Sequence, residues 1–84
     1  MSFSTNINDI NVQRFLAGLY PLIGKAYLFR YDKDHRRGVL TINYCVPKDA
    51  IIDGQFMGRY PEYKYITISY KMFTEMLTYM YGKL

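Results

Sequence analysis

Between Gly38 and Cys45 the chain alternates without a break: Leu40, Ile42 and Tyr44 take every second position, with Thr41 and Asn43 between them. Successive side chains of a strand point to opposite faces, so this run predicts a strand with one buried and one wet face. Residues Tyr63 to Ser69 repeat the pattern, with Ile66 and Ile68 inward and Tyr65, Thr67 and Ser69 outward. A sheet covered on one side is the frame into which everything else must fit.

Residues 25–31 (Lys-Ala-Tyr-Leu-Phe-Arg-Tyr) and 38–45 read as a β-hairpin joined by Asp32-Lys33-Asp34-His35-Arg36-Arg37. Placing Phe29 opposite Leu40 sets Tyr27 opposite Ile42 and brings the aromatics of the first strand into the core. Slipping that register by one residue would bury Arg30, which is costly. In residues 46–62, Pro47, Gly54, Gly58 and Pro61 punctuate two apolar islands, Ile51-Ile52 and Phe56-Met57. Asp53-Gly54 reads as a tight turn between the islands, within either a short hairpin or an irregular cover over the core.

Helical spacing appears at both ends. Residues 1–8 are expected to form an arm or the lead into a helix capped by Asn8 or Asn11. Val12, Phe15, Leu16, Leu19 and Tyr20 share one face of that helix, Gln13, Arg14 and Ala17 point away, and Pro21 ends it near Tyr20. Leu22 and Ile23 follow as a turn, and Gly24 frees the backbone to enter a strand. Ser69 is placed to cap a final helix with Met72, Phe73, Met76, Leu77 and Met80 inward, Thr74, Glu75 and Thr78 on its wet side, and Gly82 at its end. The fold class is therefore α+β: a small antiparallel sheet of three or four strands, with an N-terminal and a C-terminal helix packed on one face. Residues 1–84 form a single compact domain.

With 50% hydrophobic and 21% charged residues, the chain is too apolar for a disordered segment. A domain this short buries only about 60–65% of its unfolded surface, so a homodimer is the expected working form. The net charge of +4 favours polyanionic partners, but many small proteins that touch no nucleic acid carry as much. The single cysteine, Cys45, rules out an internal disulfide, and the single histidine rules out a Cys/His zinc set, which fits a reducing, cytoplasmic setting. No run approaches the roughly 20 apolar residues that span a bilayer, and Met-Ser-Phe-Ser-Thr-Asn lacks the pattern of a signal peptide. No membrane partner is expected.

Groups suited to catalysis are scattered. His35 sits in a hairpin tip and reads as an incidental, exposed histidine, without the water-excluding pocket a general base needs. Cys45 has no electropositive neighbour in sequence to activate it, so it reads as a small, inert residue at a strand end. Asp32 and Asp34 lack the glycine and terminal glutamate of a calcium loop, and Gly54 and Gly58 lack the Lys-Ser/Thr of a phosphate cradle. A non-enzymatic protein without metal or cofactor is the expectation.

The candidate site is the open face of the sheet. Arg30, Thr41, Asn43, Tyr65 and Thr67 project away from the core, Lys64, Arg36 and Arg37 lie at its margins, and Lys33 joins them from the hairpin tip. Ten tyrosines and no tryptophan enrich the chain in rings with an apolar body and a polar tip. Tyr and Arg anchor protein interfaces, which makes a protein-contact module of the accessory regulator or inhibitor type the first reading. The alternative is nucleic-acid binding, with bases stacked on rings while the basic hairpin tracks phosphates.

Overall fold

A computed structural model describes residues 7–82 of the chain. The element order is α1 (Asp9–Gly18), α2 (Tyr20–Ile23), β1 (Tyr27–Asp34), β2 (Val39–Ile52), β3 (Gln55–Ser69) and α3 (Tyr70–Tyr81). The strands form an antiparallel sheet in the order β1-β2-β3. An N-terminal and a C-terminal helix pack on it, so the α+β expectation holds with three strands. No helix among the described residues is long and apolar enough to cross a membrane.

β2 lies in the middle, and its alternation is read out in full. Leu40, Ile42, Tyr44 and Val46 are buried and meet Val12, Phe15 and Leu16 of α1 and Phe73 and Leu77 of α3. Phe15 and Phe73 join the two helices, with ring centroids 5.1 Å apart. Ile66 and Ile68 of the edge strand β3 are half-buried against the same cluster, because an edge strand is covered from one side only.

The N-terminal helix starts where expected. The Asn8 side chain accepts a hydrogen bond from the Asn11 amide at 2.8 Å, closing the first turn. The arm expected at residues 1–8 lies, for residues 1–6, outside the described residues, and Ile7 belongs to the core. Pro21 does not follow the last turn of a single helix. It occupies the first turn of the short α2, where its missing N–H has no intrahelical partner to lose. Gln13 does not point to solvent either: its amide spans from α1 to β1, donating to the Ala26 carbonyl at 3.3 Å and accepting from the Leu28 amide at 2.9 Å. A side chain thereby supplies what a neighbouring strand would have given the edge of β1.

The β1–β2 register differs from the one expected. Tyr27 faces Cys45 and Leu28 faces Tyr44, but Arg30 then faces Asn43 and Tyr31 faces Ile42, so Phe29 is an extra residue on β1. This bulge reverses the side-chain phase, turning Leu28 and Tyr31 inward and leaving Tyr27 and Phe29 exposed instead of in the core. Arg30 still points outward. The strand also continues through Asp34, shortening the turn to residues 35–38.

Residues 46–62 hold the hairpin of the two expected alternatives and not an irregular cover, Val46 at its base still belonging to the core. They continue β2 and β3 beyond the end of β1 as a two-stranded ribbon, which stretches the molecule to 54 × 27 × 17 Å. Asp53 and Gly54 form its tip turn, with φ of 53° and 79°, the pair of positive values that a two-residue type I′ hairpin turn requires. Met57 and Gly58 together oppose Ala50, a second bulge made easy by Gly58 at φ 114°. Midway, Pro47 faces Pro61. Neither has an N–H to exchange, so this is a non-hydrogen-bonded pair whose nitrogens face the two outer edges, and it blunts both edges against further strand pairing.

The final helix is capped as expected, Ser69 Oγ accepting from the Met72 amide at 3.1 Å, and it ends at Gly82. Its buried face is Tyr70, Phe73 and Leu77, with Met76 and Met80 half-buried, whereas Met72 is exposed. Thr74, expected on the wet side, is half-buried. Tyr81 donates its hydroxyl to the Arg14 carbonyl, and the Arg14 guanidinium lies 4.4 Å over its ring. His35, expected to be incidental, lies 3.2 Å from the Tyr70 hydroxyl through Nδ1 and ties the β1–β2 turn to the start of α3.

Two phenols titrate abnormally. Burial pushes the Tyr31 hydroxyl above its ordinary 10.0, helped by its hydrogen bond to the Asp9 carboxylate. Burial and the charge of Asp34 do the same to Tyr70. The native state then keeps protons that the unfolded chain sheds above pH 10, so this stabilisation is complete below pH 10 and is lost as pH rises through the native values. Urea midpoints measured from about pH 8 to about pH 11 should stay level and then fall, and a Tyr31→Phe/Tyr70→Phe double variant should fall less steeply. Equal slopes for both proteins would show that neither phenol is held protonated by the fold.

Candidate functional site

The face of the sheet opposite the helices is built from the residues that alternate with the core. Arg30, Asn43 and Tyr65 form one row across the three strands, and Asp32, Thr41 and Thr67 form the next. Thr41 and Thr67 bring their hydroxyls to 3.5 Å. One row toward the ribbon, Tyr27, Cys45 and Tyr63 lie side by side, and the bulged Phe29 meets the edge of the Tyr63 ring with centroids 5.4 Å apart. Nothing covers these rings: Phe29 is 61% exposed, Tyr63 62% and Tyr65 70%. Phe29, Arg30, Asn43, Tyr63, Lys64 and Tyr65 line a shallow concavity of roughly 300 Å³.

The structure thus brings Arg30, Asn43, Lys64 and Tyr65 together, with Thr41 and Thr67 adjoining. Lys64 is opposite Tyr44, on the core side of the ladder, and reaches the concavity at its rim while pairing with Glu62 at 3.1 Å. Lys33, Arg36 and Arg37 are elsewhere, toward the end of the β1–β2 hairpin: Lys33 is about 10 Å along the strands from Asn43 at ~3.3 Å per residue, and Arg36 and Arg37 lie in the turn beyond the Asp34–Val39 pair, more than about 13 Å away. Arg37 turns back on its own strand, its amide 3.2 Å and its Nε 3.7 Å from the Asp34 carboxylate. Sequence reasoning missed Tyr27, Phe29 and Tyr63 as members of the open face, because the bulge that exposes the first two has no signature in composition or period.

The face is electrostatically mixed. Arg59 pairs with Asp49 at 3.2 Å, so together with the Lys64–Glu62 pair two cations at or near it are already neutralised, and Arg37 at the far turn pairs with Asp34. Arg30 makes no ion pair among the described residues. In chemical terms the arrangement offers a row of exposed rings, a guanidinium with no ion pair among the described residues, an amide and two hydroxyls on a stiff support. No group of three His, Cys, Asp or Glu side chains among the described residues is placed to hold a metal ion. Comparison with protein families, with curated proteins and with solved structures finds no match to this chain.

Proposed function

We propose that this chain is a non-enzymatic binding module that works by protein–protein contact through the open face of its sheet, as small accessory regulators and inhibitors do. One observation carries the reading: Tyr27, Phe29, Tyr63 and Tyr65 stand uncovered in one patch beside an unpaired arginine. Aromatic rings and arginine are the side chains that supply most binding energy at protein interfaces, since rings bury large areas at little entropic cost. Its expected working form is a homodimer and its expected compartment the cytoplasm. The nucleic-acid reading loses ground because Lys64 and Arg59 are held by carboxylates, which interrupts the continuous basic track that single-strand binding needs.

The test is capture of bound macromolecules by the intact chain, with and without nuclease, beside a Tyr63→Ser/Tyr65→Ser variant. A protein should be retained through nuclease treatment, and the double variant should lose it, by at least about tenfold in affinity for two ring truncations. Both rings are exposed, so the variant should unfold at the same urea concentration as the parent. Retention that disappears with nuclease and falls steeply with salt would instead assign the face to nucleic acid.

A further inference from the structure

We infer that the occupant of this face is a second copy of the chain, and that the ribbon tip of each copy covers the aromatic concavity of the other across a two-fold axis. The inference rests on reading the open face as a protein-contact surface, and it names the partner and the register.

The ribbon supplies the second half of the interface. Ile51 faces Phe56 at its end, and these two are 61% and 60% exposed, with Ile52 and Met57 equally uncovered beside them. The bulge at Met57-Gly58 adds its extra residue to β3, so the phase of β2 is undisturbed and Ile51 keeps the side of the ladder that Cys45, Asn43 and Thr41 occupy. The apolar tip and the aromatic patch therefore lie on the same side, at opposite ends of one strip.

Their spacing is self-complementary. Along β2, Ile51 and Cys45 are each three residues from Lys48, and Asp53 and Asn43 are each five. A two-fold axis at Lys48 seats Ile51 and Phe56 over Cys45, Tyr63 and Phe29 of the other copy, about 10 Å from the axis at ~3.3 Å per residue. The same operation sets Asp53 over the row of Asn43 and Arg30. Neither Asp53 nor Arg30 has an ion-pair partner within its own chain among the described residues, and they carry opposite charge.

Charge and area agree with this arrangement. Residues 46–62 hold Lys48 and Arg59 against Asp49, Asp53 and Glu62, a net charge of −1, whereas the remainder holds nine cations and four carboxylates, a net +5. A ribbon of one copy is attracted to the body of another. A folded monomer of this mass exposes about 5,200 Å² by size scaling, whereas this chain exposes 6112 Å². The surplus, roughly 900 Å², is close to the ~800 Å² that each partner contributes to a stable interface. Contact is through the faces and not the edges, since the Pro47–Pro61 pair blunts both edges of the ribbon. Two sheets packed face to face about 10 Å apart would leave the helices outermost.

The experiment is the oligomeric state of the full chain by sedimentation equilibrium, with charge variants. The parent should be a dimer. Asp53→Arg and Arg30→Asp should each weaken dimerisation about tenfold, the double charge swap should recover most of the loss, and Phe56→Ser should weaken it by at least as much. All three positions are exposed, and equal urea midpoints under monomeric conditions confirm that the fold is kept. A parent that stays monomeric at millimolar concentration overturns the inference, as does a dimer indifferent to these substitutions. If that monomer captures a different protein and loses it on Tyr63→Ser/Tyr65→Ser, the protein-contact reading stands and only the second copy is wrong. If it captures none, both fail.

Discussion

Replacing Phe73 with alanine is expected to cost about 3–5 kcal/mol, a large part of what holds the chain folded. The ring is fully buried and packs on Phe15, itself nearly so, at the point where α1 and α3 meet above β2. Truncation removes the transfer energy of the ring and leaves a cavity that two helices and a sheet cannot close without moving. A chain of this length is stable by only about 4–13 kcal/mol, at 0.05–0.15 kcal/mol per residue, so one such loss is a large part of the whole. Urea unfolding followed by circular dichroism checks it. A loss under about 1 kcal/mol would mean that α3 is not docked on α1 and the sheet. In that case the shared core of the two helices would have to be abandoned.

The second large effect is expected at Gln13, where alanine should cost about 1–3 kcal/mol. The side chain is half-buried, and both ends of its amide are bonded to the backbone of the segment entering β1. Its removal strips a partner from the Leu28 amide and from the Ala26 carbonyl without offering another, and an unmet buried polar group costs more than a made hydrogen bond returns. Leu28 precedes the bulge that sets Phe29 on the open face, so this contact also holds that face in place. Gln13→Glu separates the two bonds, since a carboxylate still accepts from Leu28 but meets the Ala26 carbonyl with like charge. Amide exchange at Leu28 should accelerate in the alanine variant and much less in the glutamate variant. Equal acceleration in both would locate the effect in α1 and not in the hydrogen bonds.

The parts of the fold that could be read from the chain are those in which a single period runs unopposed. Leu40, Ile42 and Tyr44 are buried and Asn43 is turned outward because β2 is paired on both sides and covered by both helices, so nothing competes with its alternation. The caps at Asn8 and Ser69 were legible for a similar reason: each is a local bond between a side chain and an amide three residues on. On β1 the alternation of apolar and polar residues is weak, and moving one residue into a bulge exchanges Phe29 for Leu28 and Tyr31 at the core. The helical spacing of α3 likewise gave Met72 and Met76 equal claim to the interior, but Met76 packs half-buried against the core, Tyr70 is buried, and Met72 is exposed. The candidate site shows the same division. Arg30, Asn43 and Tyr65 were legible as outward residues, whereas the uncovered Tyr27, Phe29 and Tyr63 that complete the patch were not.

The order of amino acids by itself determined the two long helices and the strands of the body, the inward face of β2, the cap at Ser69 and the turn at Asp53-Gly54, and it narrowed the first cap to Asn8 or Asn11. Each of these follows from bonds or periods contained within a few consecutive residues. Only the tertiary structure decided that β1 bulges at Phe29, that Gln13 closes the edge of β1, and that residues 46–62 stand out from the body instead of folding over it. Those outcomes depend on which distant partner satisfies a backbone group or covers a side chain. Such a choice is made by the free energy of the assembled whole, which no local stretch of the chain carries.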